Sequence, residues 1–503
     1  MPIPHSAPGL DSPPALGVDP VLCVDLDGTL VKSDTLFDST LAVARHRPAA
    51  LLRIPGWLLQ GKAALKRHIA NTIQLDVTHL PYNRELLQYL EQQRATGRPI
   101  YLATAADADI ANRIAAHLGL FTGVLASDGQ HNLAGKNKLA AFQSRFGNNF
   151  AYIGNATADL PLLQQCQEPM VANPTPGLRA GLRSARITPV RTFNERVSPS
   201  KAWFKAIRIH QWAKNLLIFI PLLLARVWAP GVATAVTFAF FSFCLCASAT
   251  YIVNDLLDLE VDRQHPRKRR RPFASGDLSV LSGILVVVLF LAASLVLALL
   301  VPPAVAALSP EVFYLIKPHY FLLWLGIYLV ITLAYSLRLK RTVLVDVIVL
   351  SGLYTIRIIA GSAASGIAVS TWLGSFSVFF FLSLALVKRF AELESLRARG
   401  GVSAGGRGYH VTDIEQLRSF GSASGFVSVV VLTLYLSTLD ATNVYHHPKR
   451  LWLIVPVLLL WIMRLWFKAS RGQLNDDPVV YAVTDRRSLF LGFLVLAIVL
   501  SAL

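Results

Sequence analysis

Asn254-Asp255-Leu256-Leu257-Asp258-Leu259-Glu260-Val261-Asp262 follows the apolar run 232–252 and turns it abruptly acidic. Asn254, Asp258 and Asp262 are spaced i, i+4, i+8, so a helix would carry them along one face with Asp255 beside them. Like charges stacked in this way destabilise a bare helix, and a divalent cation would relieve them. The basic run Arg267-Lys268-Arg269-Arg270-Arg271-Pro272 comes next. Carboxylates followed by cations suit Mg2+ together with a diphosphate. The basic run alone is equally well explained as an ordinary charged loop.

Working outward, the acid segment lies among nine apolar runs at roughly 215–231, 232–252, 279–301, 319–337, 343–363, 370–387, 420–438, 451–467 and 487–503. Each approaches the ~20 residues that a membrane-spanning helix needs. Lys and Arg gather between Lys201 and Lys214 and in the loops after the second, fourth, sixth and eighth runs. The alternate loops carry only Arg226, Lys317, Lys449 and Arg450. Positive charge marks the cytoplasmic side, which places the N-terminal part in the cytoplasm and the C-terminus outside. The net charge of +18 is explained by basic loops beside anionic lipid, so no nucleic-acid partner is expected. Cys23, Cys166, Cys244 and Cys246 show no ligand spacing and read as buried thiols in a reducing compartment. The N-terminus is rich in proline and has no apolar signal core, so export of the first domain is not expected.

The part before the apolar runs has the mixed composition of a soluble α/β domain. Val21-Leu22-Cys23-Val24 reads as a buried strand ending in Asp25-Leu26-Asp27-Gly28-Thr29-Leu30. Residues two apart on an extended chain point the same way, so Asp25 and Asp27 converge just beyond the strand. A second strand over Pro99–Ala103 ends at Thr104, and a third over Phe150–Ile153 leads to Asn155 and Asp159. Polar residues at the carboxyl ends of parallel strands are where open α/β sheets build sites. This ordered set resembles the haloacid dehalogenase (HAD) superfamily of phosphatases. The resemblance implies Asp25 as nucleophile, Asp27 as acid, Thr104 and Lys138 holding the phosphoryl group, and Mg2+ on Asp25, Asp27, Asn155 and Asp159. Asn155 departs from the aspartate often found there, and Lys136 is close enough to compete with Lys138. An inactive domain retained for structure is the alternative. The ~70 residues between Asp27 and Pro99 leave room for a helical cap over the site.

The motif NDxxDxxxD at the end of the second of nine helices resembles the UbiA superfamily of intramembrane prenyltransferases. Within it the likeness is nearer to decaprenyl-phosphate phosphoribosyltransferases. It is carried by Arg208–Asn215, by the acid segment with Arg271-Pro272, and by Tyr335–Lys340 with Asp346 and Arg357. Asp346 and Arg357 are eleven apart, about three helical turns, and so face one way. A cation at that depth needs a cavity, an anion or an ion pair with another helix. Asp346 lacks a second acid four residues on, which argues against the aromatic branch. Lys388-Arg389 and Arg407-Gly408-Tyr409 add cytoplasmic cations that ordinary loop charge also explains.

The expected architecture is therefore two-part: a disordered 1–19, a HAD-like α/β Rossmannoid domain with a helical cap at 20–185, a linker at 186–204, and an all-α, nine-helix UbiA-type transmembrane bundle at 205–503. The resemblance implies transfer of phosphoribose from phosphoribosyl pyrophosphate to a polyprenyl phosphate lipid, followed by removal of the 5-phosphate. Mg2+ would sit on Asn254, Asp255, Asp258 and Asp262. Lys214, Asn215, Arg271, Tyr335, Lys340, Asp346, Arg357 and Lys388 are the expected substrate-binding residues. Prenyl transfer to an aromatic acceptor, or a transporter or lipid-binding scaffold with a regulatory HAD domain, are the alternatives. Oligomeric state is not legible.

Overall fold

The computed structural model describes residues 19–225, 229–317, 319–402, 407–438, 445–474 and 478–502. Arg226 and the expected disordered stretch up to residue 18 lie outside the described residues. The chain divides into two units, one of Met1–Ala206 with Asp255–Leu285 and one of Ile207–Asn254 with Val286–Leu503. The boundary falls inside helix Pro230–Leu257, so all of the acid segment except Asn254 groups with the first unit.

The first unit is built on a parallel sheet of six strands: β1 (Val21–Val24), β2 (Ile100–Asp107), β3 (Gly123–Ser127), β4 (Phe150–Gly154), β5 (Glu168–Ala172) and β6 (Arg191–Phe193). Their order is β3-β2-β1-β4-β5-β6. All four residues of β1 are buried, as a central strand covered on both faces requires. Leu22 and Val24 face one core with Leu102 and Ile153, while Val21 and Cys23 face the other with Phe142 and Tyr152. The chain leaves β1 for β2 on one side and returns to β4 on the other. The carboxyl ends of β1 and β4 thus form the switch point where such sheets bind ligands.

Between β1 and β2 the chain forms helices Thr35–His46, Ile54–Leu59, Lys62–Thr72 and Arg84–Ala95. Asp34 starts the first by accepting from the N–H groups of Leu36 and Phe37 at 2.9 and 3.3 Å. The four cysteines are free thiols.

The second unit is helical. Among the described residues, seven helices are long and apolar enough to cross a membrane: Pro230–Leu257, Val280–Leu308, Tyr320–Leu337, Val345–Ser365, Thr371–Arg397, Val411–Leu436 and Pro448–Ser470. They correspond to the second through eighth expected runs. The first run is instead a 3-10 stretch, Ile209–Phe219, followed by the short helix Ile220–Ala225. This stretch packs closely: a Cβ on Gly361 would lie 2.0 Å from the Ile218 carbonyl oxygen, so backbone meets backbone there. The ninth run is the helix Arg486–Ala502, of 17 residues.

Candidate active sites

Asp25 follows β1 directly, and its N–H donates to the Ile153 carbonyl of β4 at 3.0 Å. Gly28, with φ +77°, turns the chain away. A Cβ there would come within 2.0 Å of the Asn155 side chain, so glycine is required by conformation and by space. Thr35 N–H donates to Asp27 Oδ1 at 2.7 Å, which holds the second carboxyl beside the first.

Of the two lysines, Lys138 is the one that the structure brings to Asp25. It lies on helix Lys136–Phe146, where positions 138 and 142 face inward while Lys136 is exposed. Its ammonium donates to Asp25 Oδ1 at 2.8 Å and to the Tyr152 hydroxyl at 3.1 Å. Tyr152 donates in turn to Asp159 Oδ1 at 2.8 Å. Asp159 Oδ2 accepts from the N–H groups of Asn155 and Ala156, which shapes the loop that carries Asn155. Thr104 is buried and holds its own turn, accepting from Ala106 N–H at 2.9 Å.

These side chains line one cavity of about 530 Å³. Thr35, Ser39 and Lys66 from the insertion face it, as do Arg196 and Ser279. Lys66 donates to the Ala105 carbonyl at 2.6 Å and to Asn132 Oδ1 at 3.1 Å. Lys66 was not legible from the sequence, because it sits in a basic helix that reads as solvated surface.

Burial raises Asp25 to about 6, against the opposing pull of Lys138 and with help from Asp159. Burial likewise raises Asp27 well above the usual carboxylate range, with Asp34 and Asp25 adding to it. Burial opposes the charge on Lys138, but Asp25 and Asp159 outweigh it and raise the group. Clustered carboxylates at this cost, with hard oxygen donors, are chemistry that fits Mg2+. Asp159 spends its oxygens on internal hydrogen bonds, so Asn155 is the better donor from that loop.

In the acid segment, helix Pro230–Leu257 ends one residue before Asp258, and a second helix runs from Leu259 to Gln264. The acids therefore do not lie on one unbroken helix. Asp255 and Asp262 are both buried and share Arg271, whose Nη1 stands 3.0 and 2.6 Å from them. Burial raises Asp262, with Asp255 adding and Arg271 opposing. Asp258 stands 3.5 Å from Arg45. Among the described residues no three His, Cys, Asp or Glu side chains are grouped so as to hold a metal ion. The buried pair Asp255 and Asp262 nonetheless has the donor chemistry of an oxygen-ligated cation site, with a guanidinium between the two carboxylates.

Arg263, which sequence reasoning missed, forms a buried pair with Asp38 at 2.9 Å and donates to Ser33 Oγ at 3.1 Å. Ser33 lies on the turn after Gly28, and its carbonyl accepts the Gly28 N–H at 3.2 Å.

In the second unit Arg357 does not meet Asp346. Arg357 donates to Asn215 Oδ1 at 2.7 Å and to the Tyr328 hydroxyl at 3.2 Å, with its guanidinium also against the Tyr354 ring. Lys214 stands over that same ring. Asp346 is instead paired with Arg389 and accepts from the Tyr409 hydroxyl. Arg389 also donates to the Tyr335 hydroxyl at 3.0 Å. Lys340 donates to Asn254 Oδ1 at 3.2 Å. The structure thus gathers Lys214, Asn215 and Arg357 in one cluster and Tyr335 and Asp346 in another. Lys388 is half-buried in helix Thr371–Arg397.

The UbiA prenyltransferase family model matches residues 216–494, and the haloacid dehalogenase-like hydrolase model matches residues 22–164. An uncharacterised protein of Sinorhizobium fredii, y4nM, is 40% identical over 95% of this chain and 89% of its own. The nodulation protein NoeC of Azorhizobium caulinodans is 33% identical over 58% of this chain and 90% of its own. The decaprenyl-phosphate phosphoribosyltransferase of Mycobacterium tuberculosis is 36% identical over 39% of this chain and 61% of its own. A solved UbiA homolog from Archaeoglobus fulgidus, bound to GPP and Mg2+, aligns with 60% of this chain and 99% of its own at 16% identity and a TM-score of 0.44. The chain is an integral membrane enzyme of the UbiA prenyltransferase family with an N-terminal haloacid dehalogenase-like hydrolase domain.

Proposed function

We propose that the membrane domain transfers phosphoribose from phosphoribosyl pyrophosphate to a polyprenyl phosphate, and that the hydrolase domain then removes the 5-phosphate. The carrying observation is the Lys138–Asp25 contact in a cavity of about 530 Å³, in a chain similar to a decaprenyl-phosphate phosphoribosyltransferase. Nine membrane crossings, with the hydrolase domain cytoplasmic and the C-terminus outside, complete the reading.

In the first step a lipid phosphate oxygen attacks the ribose anomeric carbon as the bond to pyrophosphate breaks. Lys214 and Arg357, clustered with Asn215, would receive the lipid phosphate, which their shared place in the second unit supports. Lys340 and Lys388 add positive charge for the anionic partners. Arg271 is the cation closest to the acids and is suited to pyrophosphate. The pairing of Asp346 with Arg389, Tyr409 and Tyr335 favours a positioning role for Tyr335 and Asp346.

In the second step an Asp25 oxygen attacks phosphorus, the bond to the ribose 5-oxygen breaks, and Asp27 gives its proton to that oxygen. The raised Asp27 is suited to carry that proton near neutral pH. Water then attacks the phosphoaspartate, returns a proton to Asp27 and releases inorganic phosphate. Lys138 and Thr104 hold the phosphoryl oxygens. Asp25, the Asp27 carbonyl and Asn155, on the loop held by Asp159, would hold Mg2+ here, as would Asn254, Asp255, Asp258 and Asp262 in the membrane domain. When bound, Mg2+ neutralises phosphate charge at the reacting centre.

The test is incubation of membranes with ribose-labelled phosphoribosyl pyrophosphate and polyprenyl phosphate. Label should enter the lipid phase, and Asp258→Asn should lower the rate by about a hundredfold or more. Absence of lipid label from wild type overturns the donor assignment. Undiminished transfer by Asp258→Asn overturns the role of the acids.

A further inference from the structure

The insertion between β1 and β2 carries an exposed apolar tip that catalysis does not use. Pro48–Leu59 reads Pro-Ala-Ala-Leu-Leu-Arg-Ile-Pro-Gly-Trp-Leu-Leu. Leu52 is 85% exposed, Leu59 90% and Leu58 53%. A solvated loop ordinarily avoids three large aliphatic side chains so fully in water, so grouped exposure of this kind calls for a partner.

Charge identifies that partner. From Ser39 to Leu75 the sequence contains no acidic residue, and the exposed cations Arg47, Arg53 and Lys62 flank the tip. Leucine and tryptophan set among arginines and lysines are the composition of segments that lie in the headgroup layer of an anionic bilayer. Trp57 stacks on His68 with ring centroids 5.2 Å apart, which braces the tip on helix Lys62–Thr72. That helix also presents Lys66 and Ile69 to the catalytic cavity. The tip and the cavity are therefore served by one rigid element. The chain is membrane-anchored through its other unit, so a bilayer is always close at hand.

We propose that Pro48–Leu59 is a membrane-contact surface that seats the hydrolase domain in the headgroup layer of anionic lipid, so that it draws phosphomonoester substrates from the membrane. The contact goes beyond the proposed function, while the activity arm of its test rests on that reading.

The full-length protein in nanodiscs of phosphatidylglycerol and phosphatidylcholine provides the test. With Cys166→Ser as background, a fluorophore is attached at Leu59→Cys and, as a control, at the exposed Arg179→Cys on helix Pro176–Ser184. Brominated acyl chains should quench the label at 59 at least about threefold more than the label at 179. Equal quenching overturns the proposal. So does a shielded label at 59 that responds to protein concentration in detergent, since that would make the partner a second copy. In parallel, the double variant L52E/L59E should lower dephosphorylation of a lipid-linked phosphomonoester by about tenfold. Hydrolysis of soluble p-nitrophenyl phosphate should stay unchanged, which also reports a folded domain. Equal loss on both substrates, or loss on neither, overturns the membrane-delivery role. Failure of the phosphatase reading is distinguishable: Asp25→Asn would then leave p-nitrophenyl phosphate hydrolysis intact, while quenching still reports on the surface.

Discussion

Lys138 donates one hydrogen bond to Asp25 and one to Tyr152, and in the proposed function it holds the transferring phosphoryl group. Lys138→Met should lower kcat for p-nitrophenyl phosphate by about 10²–10³-fold, the usual cost of losing one charge-stabilising donor. Lys136→Met should change it by less than about twofold. Equal losses in the two variants would put the function of the pair in doubt. Most of this cavity was legible from residues alone. The convergence of Asp25 and Asp27 follows from strand alternation, while Lys138 comes from the resemblance to the HAD superfamily, with Lys136 in competition until helix Lys136–Phe146 is packed. Lys66 was not legible, because a cation in a basic helix shows its direction only once the helix is packed. Arg389 was missed for a related reason. It stood in the sequence as one loop cation among several, and only packing shows it buried against Asp346.

At the scale of elements, helix Leu259–Gln264 and helix Thr35–His46 are joined by the buried Arg263–Asp38 pair. Among the described residues Asp38 Oδ1 has no hydrogen-bond partner, so that carboxylate depends on what its other oxygen receives from Arg263 and Ser33. Arg263→Met should destabilise the first unit by ~3–5 kcal/mol, because it leaves a buried charge unpaired. Adding Asp38→Asn should recover much of that loss. Denaturant unfolding followed by Trp57 and Trp203 fluorescence measures both, and a double variant no better than the single would show that unpaired charge is not the cause. The run lengths in the sequence located the second through eighth helices well. They did not anticipate the 3-10 form of Ile209–Phe219, whose backbone packs against Gly361 and whose Asn215 accepts from Arg357. Hydropathy reports composition and is blind to such contacts.

For the whole molecule, the proposed topology has the last helix crossing the membrane. Arg486–Ala502, at 17 residues, is about 26 Å long, a little short of the ~30 Å hydrocarbon core. A reporter inserted after Leu474 should be cytoplasmic and one fused after Leu503 external. Reporters on the same side would show that this helix does not cross. Similarity to y4nM over 95% of the chain shows that the two domains occur together in another protein, which is expected if they act on one substrate in series. The most direct measurement of that claim is the lipid product profile of Asp25→Asn, given labelled phosphoribosyl pyrophosphate and polyprenyl phosphate. The variant should transfer phosphoribose at the wild-type rate, accumulate the 5-phosphorylated lipid and release pyrophosphate only, whereas wild type releases inorganic phosphate as well. Identical lipid products and identical phosphate release from the two proteins would contradict it.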